Sequence, residues 1–167
     1  MRVHETLDLP LSAADAAAMY ADPSYAEIRK NALGASSVTS TVDGDPSGAF
    51  TVRTEMSLPT DRVPEVARRF VGSSLTVREE QSWDAPAADG ARSGRNRLDV
   101  VGMPAGMVAS IRLTPAGEAA STLEIDGDLT AKVPLIGGRL EKAAAPYISQ
   151  VLRVEQKAVA TYRDQQA

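Results

Sequence analysis

The residues best placed to do chemistry sit on the apolar phases of predicted strands. Glu79 and Gln81 interrupt the alternating set Leu75, Val77 and Trp83. Asn96 shares a phase with Leu98 and Val100, Thr54 shares one with Val52 and Met56, and Glu5 falls between Val3 and Leu7. Successive side chains of a strand point to opposite faces, so these polar groups face whatever their apolar neighbours face. If that is the interior, a small polar cluster lies within an apolar space. A carboxylate there is costly unless paired or neutralised, which makes Glu5 or Glu79 a candidate for ligand hydrogen bonding or acid–base work. The alternative is that these strand ends run past the core, or that a bulge shifts the phase.

Other chemistries find little support. His4 is the only histidine, on the polar phase of the first strand, and no nucleophile elbow accompanies it. The chain has no cysteine, which removes thiolate catalysis, disulfides and zinc–thiolate sites. One histidine and scattered carboxylates predict no metal site, and nothing in the sequence calls for a cofactor. Gly137-Gly138 lacks the Gly-Lys-Ser/Thr ending of a phosphate loop and the glycine spacing of a dinucleotide fingerprint. It reads as a sharp turn from strand to helix, with Lys132 and Arg139 nearby.

The elements that must position the cluster follow from periodicity. A strand opens the chain over 3–9, and Pro10 ends it. Ser12 with Asp15 has capping-box spacing and starts a helix to about Tyr20. Asp22-Pro23 starts a second helix, with Tyr25, Ile28 and Ala32 on one face and Gly34 closing it. Six strands follow, over 36–42, 50–58, 75–83, 95–101, 107–114 and 121–133. A short helical insert near 62–71 is capped by Asp61 and buries Val63, Val66, Ala67 and Phe70. A polar loop fills 84–94, and Arg92, Arg95 and Arg97 read as solvated charges around a hairpin. Met103 and Met107 flank a further turn. After Gly138 a helix fills the rest of the chain, with Leu140, Ala144, Tyr147, Val151, Val154, Ala158 and Tyr162 forming its apolar stripe. Pro146 inside it predicts a kink or a break.

A long helix with one apolar face needs a broad, curved partner, which seven mostly hairpin-connected strands can supply. The fold predicted is α+β: a curved seven-stranded antiparallel sheet wrapped around the C-terminal helix, in one domain over 1–167. At 167 residues and 43% hydrophobic the composition suits a globular protein, and at 4% aromatic its core must rely on smaller side chains that leave room for a cavity. The net charge of −4 and the lack of a basic tail argue against nucleic acid as a partner. No apolar run approaches bilayer length and no secretory signal is evident, so stable membrane insertion is not expected and a cytoplasmic location is.

Several segments resemble a known family: Leu58-Pro59-Thr60-Asp61, Val63-Pro64, Arg68-Arg69-Phe70-Val71-Gly72, Gln81-Ser82-Trp83, and above all Lys132-Val133-Pro134-Leu135-Ile136-Gly137-Gly138-Arg139-Leu140-Glu141. They and the element order resemble DUF2505, an actinobacterial family within the START-like (SRPBCC) helix-grip superfamily. The resemblance implies a fold and a ligand class, an apolar or amphipathic small molecule held between sheet and helix. It carries over no catalytic motif. The predicted cavity lining is Thr54, Met56, Phe70, Glu79, Gln81, Trp83, Asn96, Met107, Ile111, Tyr147, Ile148 and Val151. The predicted partner is a small hydrophobic ligand, bound without reaction. Two alternatives remain: a polyketide cyclase- or hydratase-like enzyme using an internal carboxylate, and a protein-interaction module with a filled core.

Overall fold

A computed structural model describes residues 1–61 and 63–167. Its elements run β1 (Arg2–Leu9), α1 (Ala13–Tyr20), α2 (Pro23–Leu33), β2 (Ser37–Gly44), β3 (Phe50–Pro59), α3 (Glu65–Val71), β4 (Ser74–Trp83), β5 (Arg92–Val100), β6 (Ala105–Pro115), β7 (Ser121–Ala131) and α4 (Gly137–Gln166). The seven strands form one antiparallel sheet in the order β1-β7-β6-β5-β4-β3-β2. Strands β2 to β7 pair in sequence, with α3 inserted between β3 and β4, and β1 returns to pair with β7, Val3 opposite Gly127 and Leu7 opposite Leu123. The chain therefore has the curved-sheet, long-helix α+β architecture that its periodicity predicts.

The helix starts follow local chemistry. Ser12 Oγ accepts from the Asp15 amide at 3.1 Å, and Asp22 Oδ1 from the Ser24 amide at 2.9 Å. Pro23 occupies the first turn of α2, and Gly34 ends that helix with φ +69°. Helix α4 lies across β7 and β1 and packs along α2.

Four details depart from the sequence reading. Helix α3 begins at Glu65 with Pro64, not Asp61, at its N-cap, and residue 62 of the expected insert lies outside the described residues. Strand β5 begins at Arg92, whose buried guanidinium donates to the carbonyl of Gly48 at 2.8 Å and to that of Pro46, pinning the β2–β3 turn instead of facing solvent. The left-handed turn into α4 is made by Leu135, φ +70°, and not by the glycines. Gly137 is needed for a close approach, because a Cβ there would sit 2.2 Å from the Ala131 carbonyl oxygen. Finally, of the kink or break expected at Pro146 the break is absent, and α4 continues through it as one helix with Pro146 on its exposed outer face.

Candidate functional site

The concave face of the sheet meets α2 and α4 over two unlike regions. At one end the interior is filled. Tyr20 stacks on Trp83 with ring centroids 5.7 Å apart, Tyr20 meets Tyr25 edge-on at 5.8 Å, and Tyr25 meets Tyr162 edge-on at 6.0 Å. Phe50 pairs with Trp83 across β3 and β4. At the other end the sheet and α4 enclose a partly open cavity of about 240 Å³. Its walls are mostly apolar: Met56, Leu75, Val77, Leu98, Met107 and Ile125 from the sheet, Val63, Pro64, Ala67 and Val71 from the α3 segment, and Leu140, Ala144, Ile148 and Val151 from α4.

A polar cluster stands between the two regions. Arg29 on α2 donates through Nη1 to Glu79 Oε2 at 2.9 Å, and its Nε lies 3.2 Å from Glu155 Oε1 on α4. Asn96 Nδ2 donates to Glu79 Oε1 at 2.7 Å, which fixes the amide's orientation, and Gln81 Nε2 makes a longer 3.4 Å contact to the same oxygen. The Tyr25 hydroxyl donates to Glu155 Oε1 at 3.3 Å. Arg29, Glu79 and Glu155 are each largely buried, with side-chain exposures of 13%, 13% and 11%. Asn96 Oδ1 is buried and has no partner.

Two carboxylates thus share one guanidinium, and their proton affinities part. Burial alone would raise Glu79, but the Arg29 charge and the hydrogen bonds from Asn96, Arg29 and Gln81 outweigh it and hold the group below the usual carboxylate range. Burial raises Glu155 above that range, Arg29 opposes the rise, and the Glu79 charge adds to it. Arg29 stays firmly protonated despite burial because both carboxylates face it.

Thr54, Met56, Glu79, Gln81, Asn96, Met107, Ile111, Tyr147, Ile148 and Val151 all line the cavity. Phe70 and Trp83 do not. Phe70 is 42% exposed, with Arg69 over its ring at 4.9 Å, because the α3 face turned inward is Pro64-Ala67-Val71, one residue out of the predicted phase. Trp83, at the end of β4, belongs to the filled region, and its Nε1 donates to Gln81 Oε1 at 3.4 Å. Glu5 faces α4 but lies outside the cavity, where its Oε1 accepts from Ser149 Oγ at 2.6 Å. His4 is exposed on the outer surface beside Asp126. No group of His, Asp or Glu among the described residues is arranged to hold a metal. Arg29 and Glu155 are the members that the sequence reading missed. Arg29 follows Tyr25 by one turn of α2, and Glu155 breaks the run of half-buried Ile148 and buried Leu152, Val159 and Tyr162 on α4; a charge at those phases was the available signal.

Sheet, helix and enclosed space define the START-like, helix-grip class. Solved structures bear this out at the level of fold. A START superfamily protein from Mycobacterium smegmatis matches with a TM-score of 0.57 and 16% identity, covering 96% of this chain and 98% of the other. The ZhuI aromatase/cyclase of Streptomyces sp. R1128 matches with a TM-score of 0.64 and 14% identity, covering 99% and 94%. Within that class the chain belongs to the family described as protein of unknown function (DUF2505), whose model matches residues 4–162. The uncharacterized protein Rv0481c of Mycobacterium tuberculosis is 24% identical over 116 residues, 69% of this chain. That match spans 66% of the relative's own length.

Proposed function

We propose that the protein reversibly binds a small apolar or amphipathic molecule in the cavity between β3–β7 and α4. The observation that carries this reading is the contrast inside one fold: the chain fills one end of the sheet–helix interface with rings and leaves about 240 Å³ empty at the other. Native interiors are close-packed, so such a space is uncommon without a use. Its size lies between the roughly 150 Å³ apolar cavity that holds benzene and the 300 Å³ or more of drug-sized sites. Apolar walls supply affinity by burial, and the cluster at Glu79, Asn96 and Gln81 fixes orientation. No described helix is long and apolar enough to cross a membrane, and the reading takes 1–167 as one domain at work in the cytoplasm.

A second reading rests on the divergent carboxylates. Glu155 retains a proton more readily than an ordinary glutamate, whereas Glu79 stays ionised, so an acid and a base line one cavity. That arrangement suits a cyclisation or hydration. Native mass spectrometry of freshly purified protein, with extraction of any bound molecule, tests the first reading. A retained adduct of small-molecule mass is expected, and an empty protein that also fails to take up propylbenzene would overturn it. Glu79→Gln and Glu155→Gln separate the two readings. A carrier changes affinity modestly in both variants, whereas an enzyme loses about 10²–10⁴-fold in turnover of the extracted molecule.

A further inference from the structure

An arginine at the end of an apolar cavity ordinarily attracts a carboxylate, through paired charge-assisted hydrogen bonds. Here that charge is already met from within the chain. Arg29 is the only cation among the described residues that line the cavity, and Glu79 and Glu155 both lie against it, at 2.9 and 3.2 Å. With both glutamates ionised the cluster is net negative; with Glu155 protonated it is neutral. In neither state is positive charge left over for an anion. Two buried atoms of the cluster lack a hydrogen bond among the described residues: Arg29 Nε, whose charge is already met by Glu155 Oε1 at 3.2 Å, and one acceptor, which nothing meets. Asn96 Oδ1 is buried without a partner, and Nδ2 of the same amide is committed to Glu79, so the group cannot turn round to relieve it. Of the two Glu155 oxygens, only Oε1 receives hydrogen bonds or ion pairs among the described residues. A buried acceptor left unpaired costs free energy that an incoming donor recovers.

We propose that the cavity selects apolar molecules whose single polar head donates hydrogen bonds, a hydroxyl or an amine, and turns carboxylates away. This rests on the binding reading above and adds the head-group class. Asn96 Oδ1 receives the donor, Glu155 stands beside it as a second acceptor, and Arg29 acts as an internal counterion, not as an anion receptor.

Four probes that share a ring and a propyl tail test it by calorimetric titration at neutral pH: propylbenzene, 4-propylphenol, 4-propylbenzylamine and 4-propylbenzoate. The phenol and the amine should each bind about tenfold or more tightly than the benzoate, and more tightly than propylbenzene. Asn96→Leu should bring the phenol to within about threefold of propylbenzene, both measured on the same variant. If that variant fails to fold, the wild-type series decides alone. Benzoate binding as well as the phenol, with propylbenzene also bound, would overturn the head-group assignment and leave the cavity reading standing. Equal affinity of all four would do the same. Silence from all four would overturn both.

Discussion

The two ends of the sheet–helix interface are built from different side chains. Of seven aromatic residues (four Tyr, two Phe, one Trp), Tyr20, Tyr25, Phe50, Trp83 and Tyr162 fill one end. Only Tyr147 reaches the hollow, and Phe70 faces outward. Rings bury large areas in fixed shapes, so one region closes to a void of about 10 Å³ beside Tyr20 and Tyr25. The aliphatic and methionine side chains opposite cannot span the same gap between sheet and helix, and space remains. The scarcity of aromatics in the composition matters less than their segregation. Between the regions stands the Arg29–Glu79–Glu155 cluster, which closes the packed side and serves as the polar floor of the empty one.

Substitutions can break this contrast. The largest effect belongs to the packed end: Trp83→Ala should cost about 3–5 kcal/mol by chemical denaturation, whereas Met56→Ala, beside existing empty space, should cost about 2 kcal/mol. Equal losses would mean that the two regions do not differ in packing. Removing the shared cation comes next. Arg29→Met leaves two buried carboxylates without a counterion and should cost about 3 kcal/mol at neutral pH, with part of the loss recovered on acidification as they take up protons. Filling space should separate the ends further. Ala17→Leu, at a position 1% exposed, should cost about 1–3 kcal/mol through overpacking, but Ala144→Leu on the cavity wall should be nearly neutral for stability and weaken propylbenzene binding.

The carboxylates give a smaller, signed effect. Glu155 has a raised folded-state proton affinity, so its cost to stability is absent below its unfolded pKa and grows as pH rises through the folded value. Glu155→Gln should therefore gain stability at neutral pH, and the gain should vanish towards about pH 4. Glu79 is lowered, so it stabilises above its unfolded pKa and loses that contribution as pH falls through the folded value; Glu79→Gln should lose stability at neutral pH. Urea midpoints across pH read both, and parallel profiles would refute the divergence. Smallest of all, Phe70→Ser should shift stability by less than about 0.5 kcal/mol and leave probe affinity unchanged, since the ring lies outside the cavity.

The fold was legible because period-2 and period-3.6 patterns are strong over long elements, and the caps at Ser12, Asp22 and Gly34 carry their own chemistry. The half of the polar cluster on β4 and β5 was legible for the same reason, since Glu79 and Asn96 break clean alternations. Its helical half was not. A stripe drawn through Val154 hides Glu155 one residue away, because a helix turns only 100° per residue and adjacent positions overlap at the edge of a buried face. Phe70 failed in the same manner on a helix of seven residues, too short to average out a one-residue phase error. Trp83 was placed on the correct face of β4 at the wrong end. Alternation reports which side of a sheet a residue faces, but not how far along the strand the space extends.

Pro146 has a consequence for how the molecule breathes. It withholds one amide from the α4 ladder, so the turns before it can open without breaking the hydrogen bonds of the turns after it. Only Leu140 is fully buried before that point, whereas Leu152, Ala158, Val159 and Tyr162 anchor the remainder. The helix is thus continuous in shape but divided in local stability. Amide hydrogen exchange should show the division directly, with weak protection over 139–145, strong protection over 152–162, and a step between them. An occupant of the cavity would touch both parts through Ala144 and Val151, and should erase the step by slowing exchange on its near side.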